Sequence, residues 1–159
     1  MTHKYRATVR WTRREGESFS DGRYNRAHVW AFDDGLEVPA SAAPGNAPRG
    51  LSRADAVDPE EALVAALSSC HMLFVLYLAA RDGYTVDHYE DEAVGVMEKN
   101  ERGKLFVSRV TLNPSIGFAG PKTPTSDAIA DLHHRSHDEC FIATSVRTEV
   151  IVAGLPAHS

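Results

Sequence analysis

The sequence has little cysteine, no excess of positive charge and no repeats. Its two cysteines, Cys70 and Cys140, lie 70 residues apart in a chain of 159. They are too few for a disulfide scaffold and too far apart for a CxxC motif. Lys and Arg total 17 against 22 Asp and Glu, a net charge of -5 with His neutral. Neutralising many phosphates needs a basic surface, so nucleic acid is not an expected partner. The cluster of Arg6, Arg10, Arg13, Arg14, Arg23 and Arg26 makes at most a local basic end. Low-complexity stretches are absent too, and Met1 to Trp11 is charged and alternating, unlike the apolar core of a signal peptide. The expectation is a cytoplasmic protein. In that reducing compartment a cysteine pair is more often catalytic or metal-binding than structural.

What is present is a globular composition, 43% hydrophobic and 25% charged, which excludes disorder for the bulk of the chain. The length suits a single domain. Ala62 to Ala80 carries no formal charge and is long enough to reach across a bilayer. Ser68, Ser69, Cys70 and His71 stand at its middle, and no basic flank orients it. The expectation is therefore no membrane span but a helix buried on all sides, wrapped by sheet and by a second subunit.

The chain reads as α+β with antiparallel strands. Strands fall within residues 5–40, where Ala27 to Phe32 and Leu36 to Ala40 form a hairpin through Asp33-Asp34-Gly35. Residues 41–57, with Pro44, Gly45, Pro48 and Gly50, read as a surface loop. The central helix spans 58–82: Asp58 caps it, Pro59 takes its first position, Glu61 completes a capping box and Gly83 stops it. Residues 86–118 read as two long strands, Val86 to Asn100 and Leu105 to Phe118, in an antiparallel pair. A second helix over 123–139, capped by Thr123 or Thr125, and a strand over 146–153 complete the domain.

The second helix places Ile129, Leu132, His133, Ser136, His137 and Cys140 on one face. The bland account makes Cys140 a small buried hydrophobe, and Cys70 likewise a packing residue among Ala66, Leu67, Leu73 and Phe74. Two sharper accounts compete with it. Cys70 and Cys140 form a redox pair, or they bind zinc with His71 and His137. Adjacent Cys70 and His71 point about 100° apart on a helix, a poor bite for one ion.

The run Asp58-Pro59-Glu60-Glu61-Ala62-Leu63, then Ala65 to His71, then His137-Asp138-Glu139-Cys140-Phe141-Ile142 resembles the OsmC/Ohr family of thiol-dependent hydroperoxide reductases. Tyr24 to Trp30 and Tyr89 to Val96 resemble an OsmC-like subgroup, so the likeness spans nearly the whole chain. It implies an intertwined homodimer whose long central helices are enclosed by sheet. It also implies that Cys70 is the peroxidatic thiol and Cys140 the resolving one. The family's glutamate maps onto Glu60, and Arg26, with Arg23 as second choice, takes the place of its arginine. The implied reductant is a lipoyl-type dithiol, and no cofactor or metal is implied.

A thiol attacks peroxide as thiolate, which a nearby guanidinium favours while donating to the peroxide oxygens. Apolar surroundings of Cys70 suit organic hydroperoxides. Glu60 would hold the arginine, yet on one straight helix it lies roughly 15 Å from Cys70. The expectation is a composite site, in which Glu60 and its arginine serve the Cys70 of the other subunit. The alternative function is a dimeric small-molecule binding protein with little turnover. His133 and His134 are expected at the surface or an interface, and the Glu90-Asp91-Glu92 run at a solvated strand edge or turn. Ser68 and Ser69 lack a nucleophile elbow and read as helix-packing residues.

Overall fold

The computed structural model describes residues 2–155. Met1 and residues 156–159, which the expected single domain includes, lie outside the described residues. The chain divides into two compact units, one ending at Ala62 and one beginning at Leu63.

In the first unit β1 (Thr8–Arg10), β2 (His28–Ala31) and β3 (Glu37–Ala40) form an antiparallel meander. The β2–β3 hairpin turns where expected, with Asp34 at φ 58° and Gly35 at φ 80° supplying the left-handed backbone that a tight reversal needs. Between β1 and β2 the chain closes on itself. Trp11 donates Nε1–H to the Asn25 carbonyl (2.9 Å), and the Glu17 carboxylate accepts from both the backbone and the side chain of Asn25 (3.1 and 2.8 Å). The expected surface loop is pinned at both ends: Ala40 bridges Val57, and the fully buried Ser41 accepts from the Arg53 N–H (3.0 Å).

Helix α1 (Pro59–Arg81) starts through the expected capping box. Asp58 Oδ1 accepts from the Glu61 N–H (2.8 Å), and Glu61 Oε2 accepts from the Asp58 N–H (3.4 Å). Gly83, at φ 80°, ends it. By length and composition α1 is apolar enough to cross a bilayer. Its centre instead makes polar contacts inside the second unit, Ser68 to Asp91 and His71 to His133. It resembles the core helix of a folded domain.

The two long strands expected over 86–118 are four, sorted into two ladders. β4 (Thr85–Asp91) pairs with β7 (Pro114–Ala119), and β5 (Val94–Lys99) with β6 (Leu105–Leu112), both antiparallel. The breaks have a side-chain cause. Asp91 Oδ1 accepts the Asn113 N–H (2.6 Å), and Asn113 Nδ2 donates to the Glu92 carbonyl (2.9 Å), so side chains replace ladder bonds at Glu92 and Asn113. Asp91 is thus no solvated strand edge: Ser68 Oγ also donates to its Oδ2 (2.5 Å), tying α1 to the end of β4. Gly95 is required by close approach, because a Cβ there would meet Val64 Cγ2 of α1 at 2.6 Å.

Helix α2 is shorter than expected, Ser126–Glu139, because Thr125 rather than Thr123 caps it, accepting the Ala128 N–H at 3.2 Å. A 3-10 turn at Ala143–Ser145 then delays the last strand, β8, to Glu149–Val152. β8 runs parallel to β6, a departure from the all-antiparallel expectation. The chain leaves β6 through β7 and α2 before returning, a crossover long enough for a parallel neighbour. Two apolar clusters fill this unit. Leu67, Val110 and Leu112 are fully buried in one, and Leu78, Ala79 and Leu132 are buried in the other. Within the single chain the helix expected to be wrapped by sheet and a second subunit is covered on part of its surface: Leu73 and Tyr77 are each 61% exposed, leaving one apolar face of α1 open.

Candidate functional site

Cys70 sits in the middle of α1 and Cys140 is the C-cap of α2, its N–H donating to the His137 carbonyl (3.2 Å). Seventy residues apart in sequence, the two thiols come close enough for Cys70 to act on the Cys140 thiol, and both are free. Their surroundings differ. Cys70 is half-buried, whereas Cys140 is 1% exposed. Burial, aided by the Cys70 side chain, pushes the Cys140 thiol up to about 11, although the N–H of Ala143 points at its sulfur (3.5 Å). At neutral pH Cys140 therefore keeps its proton. One helical turn after Cys70, Phe74 packs edge-on against Phe141, which follows Cys140, with ring centroids 5.0 Å apart. An aromatic wall thus flanks the sulfur pair.

The other two expected site residues lie in the first unit, and each is held by its own neighbours. Arg26 lies flat over the Tyr24 ring, 3.7 Å from its centroid, and donates to the Tyr24 and Gly22 carbonyls (2.5 and 3.0 Å). Glu60 Oε1 accepts from Asn46 Nδ2 (3.2 Å). Among the described residues no ion pair joins Glu60 to Arg26 or to Arg23, so the anticipated carboxylate–guanidinium clamp is not assembled within this unit. Arg26 instead borders a groove of about 450 Å³ whose walls are Trp11, Phe19, Tyr24, His28 and Pro59. His28 and Trp30 do share a strand face, Trp30 Nε1–H donating to His28 Nε2 (3.0 Å).

Sequence reasoning missed a buried imidazole pair. His71 Nε2 and His133 Nδ1 are 3.0 Å apart, with ring planes within 3° of parallel. His71 is 1% exposed and His133 4%, so His133 is no surface residue. Burial first, then His133 and His137, hold His71 down to about 3. Burial and His134 lower His133 as well, partly opposed by Asp91. The signal was in the sequence: His133 lies on the α2 face that carries Leu132, Ser136 and Cys140, all of them buried. Among the described residues no group of three His, Cys, Asp or Glu side chains is arranged to hold a metal ion.

An apolar helix carrying a half-buried thiol against a shielded thiol at the end of a second helix, in an α+β frame, defines a dithiol protein of two-helix architecture. The chain belongs to the OsmC-like protein family, whose profile matches residues 52–153. It is similar to an OsmC-like protein of unknown function from Vibrio cholerae, with 48% identity, coverage of 95% of this chain and 98% of that one, and a TM-score of 0.92. It shares its fold with an organic hydroperoxide resistance protein from Elizabethkingia anophelis (19% identity, 96% and 98% coverage, TM-score 0.64). The same holds for the organic hydroperoxide resistance protein OhrB of Bacillus subtilis (20% identity, 94% and 95% coverage, TM-score 0.61). No curated protein matches the sequence.

Proposed function

We infer that the protein is a thiol-dependent peroxidase that reduces organic hydroperoxides. The observation that carries this reading is the unequal pair of free thiols, one half-buried in the middle of α1 and one shielded and protonated at the end of α2, close enough to influence each other. Cys70 attacks the peroxide as thiolate. The sulfur bonds to the terminal, hydroxyl oxygen as the O–O bond breaks, the alkyl-bearing oxygen leaves and takes up a proton to depart as alcohol, and Cys70 becomes a sulfenic acid. Cys140 then forms the S–S bond, and its proton leaves with the sulfenic hydroxyl as water. A lipoyl-type dithiol returns both cysteines to thiols by exchange and is itself oxidised to a disulfide. Family members named for organic hydroperoxide resistance support the substrate class, as does the Phe74–Phe141 wall beside the sulfurs.

Arg26 is the guanidinium that favours the thiolate, and Glu60 positions it, in a homodimer whose composite site brings both from the partner subunit. Two features support this arrangement. Glu60 and Cys70 are separated by ten residues of one continuous helix, roughly 15 Å of rise, and Leu73, Tyr77 and the 68%-exposed Phe141 leave apolar surface open in the single chain. A cytoplasmic setting, where thiols are returned to the reduced state, suits a site that cycles between dithiol and disulfide.

A second reading draws on the aromatic groove beside Arg26: a dimeric protein that binds an apolar molecule there with little turnover. The deciding experiment counts free thiols on reduced protein before and after one equivalent of cumene hydroperoxide, alongside Cys70→Ser and Cys140→Ser. The peroxidase loses two thiols and Cys70→Ser reacts slowly. If both thiols survive in the wild type, the binding reading stands and the peroxidase falls.

A further inference from the structure

His71 follows Cys70 directly on α1, and His133 lies seven residues before Cys140 on the same face of α2, about 10 Å along that helix. The two imidazoles join the helices by a hydrogen bond wholly inside the second unit. Proton accounting fixes its sense. The other ring nitrogen of His71, Nδ1, is shut away from water and has no hydrogen-bond partner. A buried N–H without an acceptor is rarer and costlier than a bare lone pair. The proton of His71 therefore sits on Nε2 and is donated to Nδ1 of His133, whose own proton is on Nε2.

Such a pair makes a poor base. Its rings are held neutral by burial, with His71 lowered to about 3, so neither imidazole takes a proton from a thiol near neutral pH. What it supplies is direction. The apolar contacts between these helices, Leu132 against Leu78 and Ala79, tolerate sliding and rotation. The Arg135–Asp82 ion pair beyond the end of α1 is partly exposed at both partners, where water can replace either one. A buried donor–acceptor pair tolerates neither motion, because displacement leaves two polar groups stranded in a dry interior. A single buried polar contact that sets register at a helix interface is a well-attested device.

We propose that the His71–His133 hydrogen bond is a register pin, which holds α2 at one position along α1 so that Cys140 meets the oxidised Cys70. His71 and His133 are then positioning residues for disulfide formation. The claim rests on the dithiol reading of the site. The step it serves is balanced: Cys70–SOH and Cys140–SH give the Cys70–Cys140 disulfide and water, with no further oxidant. Disulfide geometry makes the step sensitive to register, since Cα atoms more than about 7 Å apart cannot be bridged without backbone movement.

The test compares wild type, His133→Leu and the double variant H71Q/H133N. In the double variant the glutamine amide takes the donor position of His71 Nε2 and the asparagine oxygen the acceptor position of His133 Nδ1. After one equivalent of cumene hydroperoxide, sulfenic acid is trapped with dimedone while thiol loss is followed in parallel. In His133→Leu the rate of disulfide formation relative to sulfenate formation falls about tenfold, the scale of one hydrogen bond, and trapped sulfenate accumulates. H71Q/H133N recovers most of that loss. Should His133→Leu fail to fold, the double variant decides by itself, since a pin by hydrogen bonding predicts a near-normal rate ratio in it.

A second readout needs no peroxide. In a glutathione redox buffer the Cys70–Cys140 disulfide of His133→Leu is about tenfold less favoured, about 30 mV, and that of H71Q/H133N is near wild type. This arm keeps the pin testable even if the wild type ignores hydroperoxide. An unchanged rate ratio and unchanged potential in His133→Leu would overturn the proposal. So would a double variant as impaired as His133→Leu.

Discussion

The two units of the chain treat their reactive side chains in opposite ways. In the unit beginning at Leu63, two elements converge on one place: α1 brings Cys70 and His71, and α2 brings His133 and Cys140. In the unit ending at Ala62, Arg26 and Glu60 are each satisfied locally, by two carbonyls and an aromatic ring in one case and by Asn46 in the other. The two thiols are thus brought together within one unit. The charge expected to activate it is presented without its carboxylate partner. A thiol pair can be built by packing two helices. An exposed guanidinium–carboxylate pair gains little from being preformed in water and is better completed where a second surface excludes solvent.

Breaking the sulfur side has the largest effect. Cys70→Ser eliminates rapid thiol loss on hydroperoxide addition, whereas Cys140→Ser still consumes one equivalent and stops at the sulfenic acid, read by thiol titration. Breaking the charged side costs less. Arg26→Ala slows the first oxidation by about tenfold to a hundredfold, the range expected from removing one opposite charge beside a thiolate. Stopped-flow oxidation of mixtures of Cys70→Ser and Glu60→Ala chains tests whether the sites are shared. Recovery of about a quarter to a half of the wild-type rate in mixed dimers supports a composite site, and no recovery in verified mixed dimers rejects it.

Acid probes the imidazole pair through stability. His71 and His133 ionise less readily folded than in the unfolded chain, where the ordinary value is 6.5. As pH falls below about 6.5 the unfolded chain takes up protons that the folded chain refuses. Stability is therefore full above that pH and declines as pH falls, for His71 down to about 3 with a slope approaching about 1.4 kcal/mol per pH unit, and His133 adds a loss of the same sign. Urea midpoints at pH 7 and pH 5 measure the loss, and H71Q/H133N flattens it. The smallest effect is purely steric. Gly95→Ala forces a Cβ toward Val64, whose branched side chain has little room to turn, and destabilises the protein by about 1–3 kcal/mol in the same titration.

How much of this was legible depends on how local the cause is. The capping box at Asp58 and Glu61, the Asp34-Gly35 reversal and the buried face of α2 are set by neighbours within a turn or two, and sequence reasoning found them. The breaks at Glu92 and Asn113 were hidden because they depend on one carboxylate, Asp91, accepting from a residue 22 positions away. The parallel pairing of β8 with β6 was hidden for a similar reason, since alternation reveals a strand but not its neighbour's direction. For the site, residue type singled out the two cysteines, and the resemblance to the OsmC/Ohr family joined them as a pair. The face of α2 marked His133, but its pairing with His71 was hidden, because nothing local names a partner 62 residues away.

The central claim is that Cys70 is oxidised first and Cys140 second. The most direct measurement is peptide mapping of Cys140→Ser protein quenched with dimedone within the first moments after one equivalent of cumene hydroperoxide. The account predicts the sulfenic adduct on Cys70 and, in wild type at later times, a Cys70–Cys140 disulfide in place of any adduct. An adduct found first on Cys140 in the Cys70→Ser protein at the wild-type rate, with none on Cys70 in Cys140→Ser, would contradict it.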